Sequence, residues 1–551
     1  MATLDRRIGI LFLVFVALLG IALARATWLG AFRADSLQKA AATQQVVREL
    51  VPAPRGTITD DHGMQLAISE SAEDVVGDPY LVKHPQGVAQ RLAPLLGRPV
   101  STLLRDLTKP HTGFVYLAHQ VPVSVGNQIA QMRIDGLNFI PTVRRYYPRP
   151  LEAGQLLGYV GDQNQGLGGL EYLYNKQLRG HDGTRRVVND AIGQPISIQD
   201  VRPVAPGSTL RLTIDSALQD EVEQVLAGVG AEYRPKAATA IVMNPQTGAI
   251  LSLANWPRVD SNSPLSAPAT AWEDMAVGYS YEPGSTFKAF TVSGAIQDGL
   301  VTPSTPFNVP YELHVADRTI HDAESHGDET LTVADILKVS SNIGADLIGA
   351  RLGARRFDYW VHRFGFGRPT GVNLPGEQQG IVLHWWQYSG SSMGNLPFGQ
   401  GESVTPMQIA TAYAAIANGG TLRAPHIVAS VGGKAVKLPR GHRIISPKTA
   451  SELRTMLIGV YGEGGTASGA GIPGYQMAGK TGTANVAVNG HYSDSAYVAS
   501  FVGMVPARHP QLLGLVVVDQ PHGSIFGGSV AAPAFQKIVG WAVPYLGISP
   551  R

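Results

Sequence analysis

The feature that most constrains this chain lies at its amino end. Residues 8–24 carry no charge and are almost all Ile, Leu, Val, Phe, Ala and Gly. As a helix this run spans roughly 25 Å, just short of a hydrocarbon core. Such a segment either crosses a membrane or is removed as a targeting signal, and both outcomes take the rest of the chain out of the cytoplasm. Arg6 and Arg7 precede the run, as the positive-inside rule prefers, although Arg25 and Arg33 lie beyond it. Arg25 is placed to snorkel outward and Trp28 to sit at the interface. Ala22-Leu23-Ala24 and Ala24-Arg25-Ala26 match a small-x-small cleavage pattern. The run is nevertheless longer than a usual signal core, which favours a retained single transmembrane helix with a short cytoplasmic tail, over residues 1–28.

The chain has 551 residues, too many for one ordinary domain. Charged residues are 16% and apolar ones 44%, a balance that supports a buried core. Lys plus Arg number 44 against 42 Asp plus Glu, so no basic excess points to nucleic acid. The absence of cysteine excludes disulfides, thiolate metal sites and a cysteine nucleophile. Residues 27–51 contain no Pro and one Gly, and read as a helical stalk, assigned to 29–51. Pro52-Ala53-Pro54 breaks it. Residues 52–206 combine short apolar runs with turn residues, as expected of a mixed, largely extended domain. Val204-Ala205-Pro206-Gly207 marks a second boundary, and 207–236 reads as a linker region. Residues 237–545 then predict one α+β or α/β domain. Strands are expected at 238–243 and 249–254, flanking the turn Asn244-Pro245-Gln246-Thr247-Gly248, and at 512–518, buried on both faces. Helices are expected over 287–297, 333–352, 406–417 and 447–460. Strands at both ends of the domain with helices between them close one sheet.

Three short motifs in this domain carry chemistry. Ser285-Thr286-Phe287-Lys288 follows Glu282-Pro283-Gly284, a helix-start signal that puts Ser285 and Lys288 on one face. A serine hydroxyl needs an adjacent base, and a lysine serves when desolvation and cationic neighbours neutralise it. The pattern alone is weak: Ser36-Leu37-Gln38-Lys39 repeats it in the stalk without supporting partners. Ser340-Ser341-Asn342 supplies a second hydroxyl to relay a proton and an amide that both donates and accepts. Taken alone it reads as a capping cluster between helices. Lys480-Thr481-Gly482-Thr483 supplies a cation and a hydroxyl for a carboxylate, with a glycine that lets a peptide backbone approach an edge strand. Taken alone it reads as a surface turn. Together the motifs form a complete acyl-transfer set, and no zinc-protease, Walker or nucleophile-elbow motif competes.

Ser-x-x-Lys, Ser-x-Asn and Lys-Thr-Gly in this order resemble the signature of the penicillin-recognising serine enzymes. Tyr281-Glu282-Pro283-Gly284-Ser285, Gly399-Gln400-Gly401, Val404-Thr405-Pro406-Met407-Gln408, Phe501-Val502-Gly503, Gly527-Gly528 and Ala532-Pro533 narrow the likeness to class B penicillin-binding proteins. In the front half, Arg55-Gly56-Thr57-Ile58 with Asp60 resembles the start of that family's pedestal (dimerisation) domain. Arg145-Tyr146-Tyr147-Pro148, Gly158-Tyr159-Val160-Gly161 and Gly169-Leu170-Glu171 resemble its later motifs. Asp61, where the family has Arg, and Asp274-Met275-Ala276, where Asn-Arg-Ala is frequent, depart from the pattern.

The resemblance implies a C-terminal transpeptidase domain of serine β-lactamase-like fold and no metal or organic cofactor. It implies that Ser285 attacks the penultimate D-alanine carbonyl of a stem peptide and that Lys288 takes its proton. Ser340 and Asn342 would assist leaving-group protonation and substrate orientation. Lys480 and Thr481, beside Gly482 and Thr483, would bind the terminal carboxylate, and the N–H groups of Ser285 and Thr483 would form the oxyanion hole. Implied partners are stem peptides ending in D-Ala-D-Ala, β-lactams, a polytopic membrane glycan polymerase and division proteins. The compact pedestal looks more like the division-type than the elongation-type branch. Two other readings stay open. One is a D,D-carboxypeptidase or β-lactamase-like hydrolase, and the other is a non-catalytic β-lactam-binding scaffold or sensor.

Overall fold

The computed structural model describes residues 2–32, 46–189, 195–488 and 491–550. Its compact units are two. One comprises residues 1–54, 71–143 and 180–206; the other comprises 55–70, 144–179 and 207–551. The stretch expected as one pedestal domain is therefore divided between the two.

In the first unit, helix α1 (Ala2–Phe32) is the one described helix with a span long and apolar enough to cross a membrane, Arg7–Ala31, and that span is not buried among the described residues. Residues 33–45, including the repeated pattern at Ser36 and Lys39, lie outside the described residues. The helical expectation fails further on, because Val46–Val51 is a strand (β1). Its valines suit a pleated ladder better than a helix, and it pairs antiparallel with β2 (Gly183–Asn189), which pairs in turn with β3 (Pro195–Arg202). A separate small core gathers Val75, Leu92, Leu103, Leu117 and Ile129.

In the second unit a five-stranded antiparallel sheet organises the rest. Its strand order is β5 (Ile250–Trp256), β4 (Ala237–Met243), β8 (Leu512–Asp519), β7 (His491–Val505) and β6 (Ala478–Val488). The two ends of the domain thus close one sheet, as the sequence predicts. The central strand is buried on both faces: Leu512, Val516 and Val518 enter one core, and Leu513, Leu515 and Val517 the other. On the first face lie α2 (Ser216–Tyr233) and the carboxy-terminal helix Gly527–Tyr545. The expected linker is accordingly folded. Asp215 caps α2 by accepting from the Ala217 and Leu218 amides at 3.0 Å, and Leu218, Val222, Leu226 and Val229 recur at helical spacing to fill the core.

On the second face lie α3 (Lys288–Gln297), α4 (Val333–Val339), α5 (Asn342–Leu352), α6 (Ala354–Arg363), Pro406–Ala417 and Pro447–Ile458. The expected continuous helix over 333–352 is two helices. Ser340 adopts φ +66°, ending α4, and the Ser341 hydroxyl accepts from the Gly344 amide at 2.8 Å to start α5. The capping reading of Ser-Ser-Asn is thus correct for Ser341, and the break sets Ser340 on the corner between the helices.

The front-half motifs converge inside this unit. Glu171 receives Arg55 Nε at 2.9 Å and Nη2 at 2.6 Å, and Arg145 Nε at 2.6 Å, with all three side chains buried. Arg55 also donates to Asn175 Oδ1 at 2.9 Å, and Arg145 to the Gly56 carbonyl at 2.9 Å. Buried charges are tolerated when they are paired and hydrogen-bonded in this way. Asp60 caps the adjacent turn through the His62 and Met64 amides, while Asp61 lies 3.7 Å from Arg211 at the surface.

Candidate active site

The nucleophile motif sits where a 3₁₀ turn, Gly284–Phe287, runs into α3. Gly284 has φ +54°, and a Cβ there would stand 3.0 Å from the Thr483 carbonyl, so only glycine admits this approach to β6. The Gly284 amide donates to the Gly399 carbonyl at 3.0 Å. Phe287 locks the turn from below, packing against Phe290, Phe357 and Phe366. Ser285 is left half-buried, while Thr286, Phe287 and Lys288 are buried.

Lys288 is fully buried, and its amine meets three acceptors: the Ser340 carbonyl, Ser340 Oγ at 3.3 Å and Asn342 Oδ1 at 2.7 Å. Burial disfavours the ammonium form and pushes the group down to about 7, against the opposing pull of Asp322 and Asp346. A lysine so placed is in large part a free base at neutral pH. Lys480 is also fully buried and lies on β6, which among the described residues is an edge strand paired with β7. Its amine donates to Ser340 Oγ at 2.8 Å and lies 3.4 Å from Thr481 Oγ1. Burial, with the Lys288 charge adding to it, holds Lys480 well below its ordinary range. Ser340 Oγ therefore bridges the two lysines. Thr481 Oγ1 and Thr466 Oγ1 are 2.8 Å apart, and Thr483 Oγ1 accepts from the Gly527 amide at 3.0 Å.

The structure thus brings the three motifs together, with Lys288, Ser340, Asn342 and Lys480 joined by hydrogen bonds. Lys-Thr-Gly lies on an edge strand and not on a surface turn. Two carboxylates that carry no sequence signature support it. Asp322 accepts from the Ser341 hydroxyl at 2.6 Å, the Ile343 amide at 3.1 Å and the Asn342 amide, so it anchors the amino end of α5. Asp346, one turn beyond Asn342, is 2% exposed, and neither of its carboxylate oxygens has a hydrogen-bond partner among the described residues. Burial raises it to about 8. No local pattern announces either aspartate, because each acts on a residue that the fold brings close.

A sequence model of the penicillin binding protein transpeptidase domain matches residues 238–540, more than half of the chain. The chain belongs to the penicillin-binding protein transpeptidase family. The model of the family's dimerisation domain matches residues 50–212. The chain is 30% identical to the peptidoglycan D,D-transpeptidase FtsI of Escherichia coli, over 98% of this chain and 91% of that protein. It is 33% identical to stage V sporulation protein D of Bacillus subtilis, over 90% and 79% respectively. Among solved structures, penicillin binding protein 3 of Mycobacterium tuberculosis complexed with ampicillin superposes with a TM-score of 0.73 at 28% identity, over 91% of this chain and 98% of that one. The likeness extends across both matched domains, as the front-half motifs predict.

Proposed function

We propose that this protein is a membrane-anchored serine D,D-transpeptidase that cross-links peptidoglycan stem peptides through an acyl-Ser285 intermediate, and that β-lactams acylate the same serine. The observation that carries this reading is the buried, depressed Lys288 amine, three residues beyond Ser285 and paired with Ser340 Oγ and Asn342 Oδ1. Ser285 Oγ attacks the penultimate D-alanine carbonyl as its proton passes to Lys288. The N–H groups of Ser285 and Thr483 receive the oxyanion. The C–N bond breaks, and the terminal D-alanine leaves with a proton relayed through Ser340 Oγ. Asn342 orients the substrate amide, and Lys480 and Thr481, with Gly482 and Thr483 beside them, hold the terminal carboxylate. The amine of a neighbouring stem peptide then attacks the ester and regenerates Ser285.

The apolar helix anchors the chain once in the membrane, with the short amino-terminal tail inside and the catalytic unit outside the cytoplasm. The partner is a polytopic glycan polymerase, in a division setting, which the likeness to FtsI favours. The test is covalent labelling of the detergent-solubilised full chain by a fluorescent penicillin, beside the Ser285→Ala variant. Labelling of the wild type alone supports the nucleophile. Labelling of a folded Ser285→Ala variant overturns it. Incubation with a stem peptide and an acceptor amine separates cross-linked product from the free acid that a carboxypeptidase would release.

A further inference from the structure

The segment joining the strands Arg318–His321 and Glu329–Thr332 forms no helix or strand of its own, yet it carries Asp322, the carboxylate that anchors Asn342. A histidine four residues further on reaches back to that carboxylate. His326 Nε2 lies 3.1 Å from Asp322 Oδ2, the same oxygen that accepts from the Ser341 hydroxyl at 2.6 Å. The other ring nitrogen, Nδ1, lies 2.7 Å from the Gly327 carbonyl and 3.7 Å from Glu329 Oε1. Both nitrogens therefore face acceptors. A neutral imidazole has one N–H and turns a lone pair towards one of them, whereas the imidazolium donates to both. The His326 side chain is 19% exposed and that of Asp322 9%, so solvent screens the pair little. Among the described residues the charged groups facing His326 are Asp322 and Glu329, and Lys288 of α3 and Asp346 of α5 act in turn on Asp322. The Gly327 carbonyl, with Asp322 and Glu329 adding to it, holds the histidine above its ordinary value against the opposing effect of burial.

We propose that His326, as an imidazolium, is a positioning residue for acyl transfer: it holds Asp322 against the corner between α4 and α5 and offsets the Asp322 charge. The proposal rests on Lys288 being the base that takes the Ser285 proton. His326 reaches that lysine in two ways, both through Asp322. The first is geometric. Asp322 Oδ1 accepts from the Asn342 and Ile343 amides, and Asn342 Oδ1 accepts from the Lys288 amine at 2.7 Å. A charged donor on Oδ2 keeps the carboxylate in the plane that serves those amides, so Asn342 and the lysine it meets stay in register. The second is electrostatic. The Asp322 charge favours the ammonium form of Lys288. A cation on the same carboxylate opposes that pull and leaves more of the amine free to act as a base at neutral pH.

The test is stopped-flow acylation of the detergent-solubilised full chain by a fluorescent penicillin, from pH 6 to pH 9. Wild type, His326→Ala and His326→Gln are compared, and thermal melting confirms that each is folded. Loss of the imidazolium should raise Lys288 by about half to one pH unit, so the ratio of wild-type to His326→Ala rate should be about 3- to 10-fold larger at pH 6 than at pH 9. Glutamine sets an uncharged N–H near the place of Nε2. His326→Gln should therefore match the wild type at pH 9 and still fall behind it at pH 6, and it carries the test alone where the alanine variant does not fold. A ratio that stays constant across the pH range overturns the proposal, because a merely structural role slows acylation equally at every pH. A glutamine variant with the wild-type profile overturns it as well. A wild type that is labelled without an acid limb overturns the Lys288 reading beneath the proposal, a result visible before any variant is compared.

Discussion

The buried carboxyl of Asp346 gives the sharpest quantitative handle on the cleft. Replacing it by asparagine keeps its shape and removes no hydrogen bond seen among the described residues, where both of its oxygens are unpartnered. Burial, the largest cause, raises this group from 3.8 to about 8; the Lys288 charge opposes that and the Asp322 charge adds to it. Between those two pH values the folded chain keeps a proton on Asp346 that the unfolded chain has lost, so the contribution of Asp346 to wild-type stability falls as pH rises through that window. At 1.36 kcal/mol per pH unit, the loss from pH 5 to pH 8 is about 4 kcal/mol, and Asp346→Asn escapes it. Urea unfolding of both proteins at pH 5 and pH 8, followed by tryptophan fluorescence, measures the difference. The variant should gain on the wild type by about that amount as pH rises. A gap that stays constant, or a variant that loses ground, refutes the reasoning. Below about pH 8 Asp346 carries its own proton, so the same change alters no charge where Lys288 titrates, near 7. The acid limb of penicillin acylation should therefore stay in place in the variant, and a limb that moves to lower pH would show that Asp346 is ionised beside Lys288 and refute the protonation argument.

Four further outcomes follow from the geometry. With Lys288 near 7, acylation of the wild type should rise about tenfold from pH 6 to pH 8, measured by stopped-flow labelling. Asp322→Ala leaves the Ser341 hydroxyl and the Asn342 and Ile343 amides without their acceptor; it should cost about 2–4 kcal/mol in unfolding experiments and slow acylation. Glu171→Gln strands two buried guanidinium groups and should destabilise the second unit by about 3–5 kcal/mol, read by denaturant titration. A Cβ at Gly527 would stand 2.3 Å from the Gly482 carbonyl and 2.4 Å from the Ser500 carbonyl, both rigid backbone. Gly527→Ala should therefore displace β6 and lower the acylation rate about 10- to 100-fold.

The sequence by itself determined the elements whose cause is local. The uncharged run at 8–24 fixes a membrane-length helix, the unbroken apolar run from Leu512 to Val518 fixes a strand buried on two faces, and three short motifs name the candidate site residues. It misjudged segments whose state depends on distant partners. Val46–Val51 has no partner in its own neighbourhood and becomes a strand by pairing with Gly183–Asn189. The segment after Gly207 looks like a linker until α2 buries its apolar stripe beneath the sheet. The helix across Ser340 breaks because that corner must deliver an oxygen to two lysines from different elements. Tertiary structure alone decided the electrostatics. Lys288, Lys480, Asp322 and Asp346 are ordinary charged residues in the chain, and they acquire their character only when folding removes water and sets them among one another. Arg55, Arg145 and Glu171 are legible as separate motifs, but only the fold makes them a single buried ionic group.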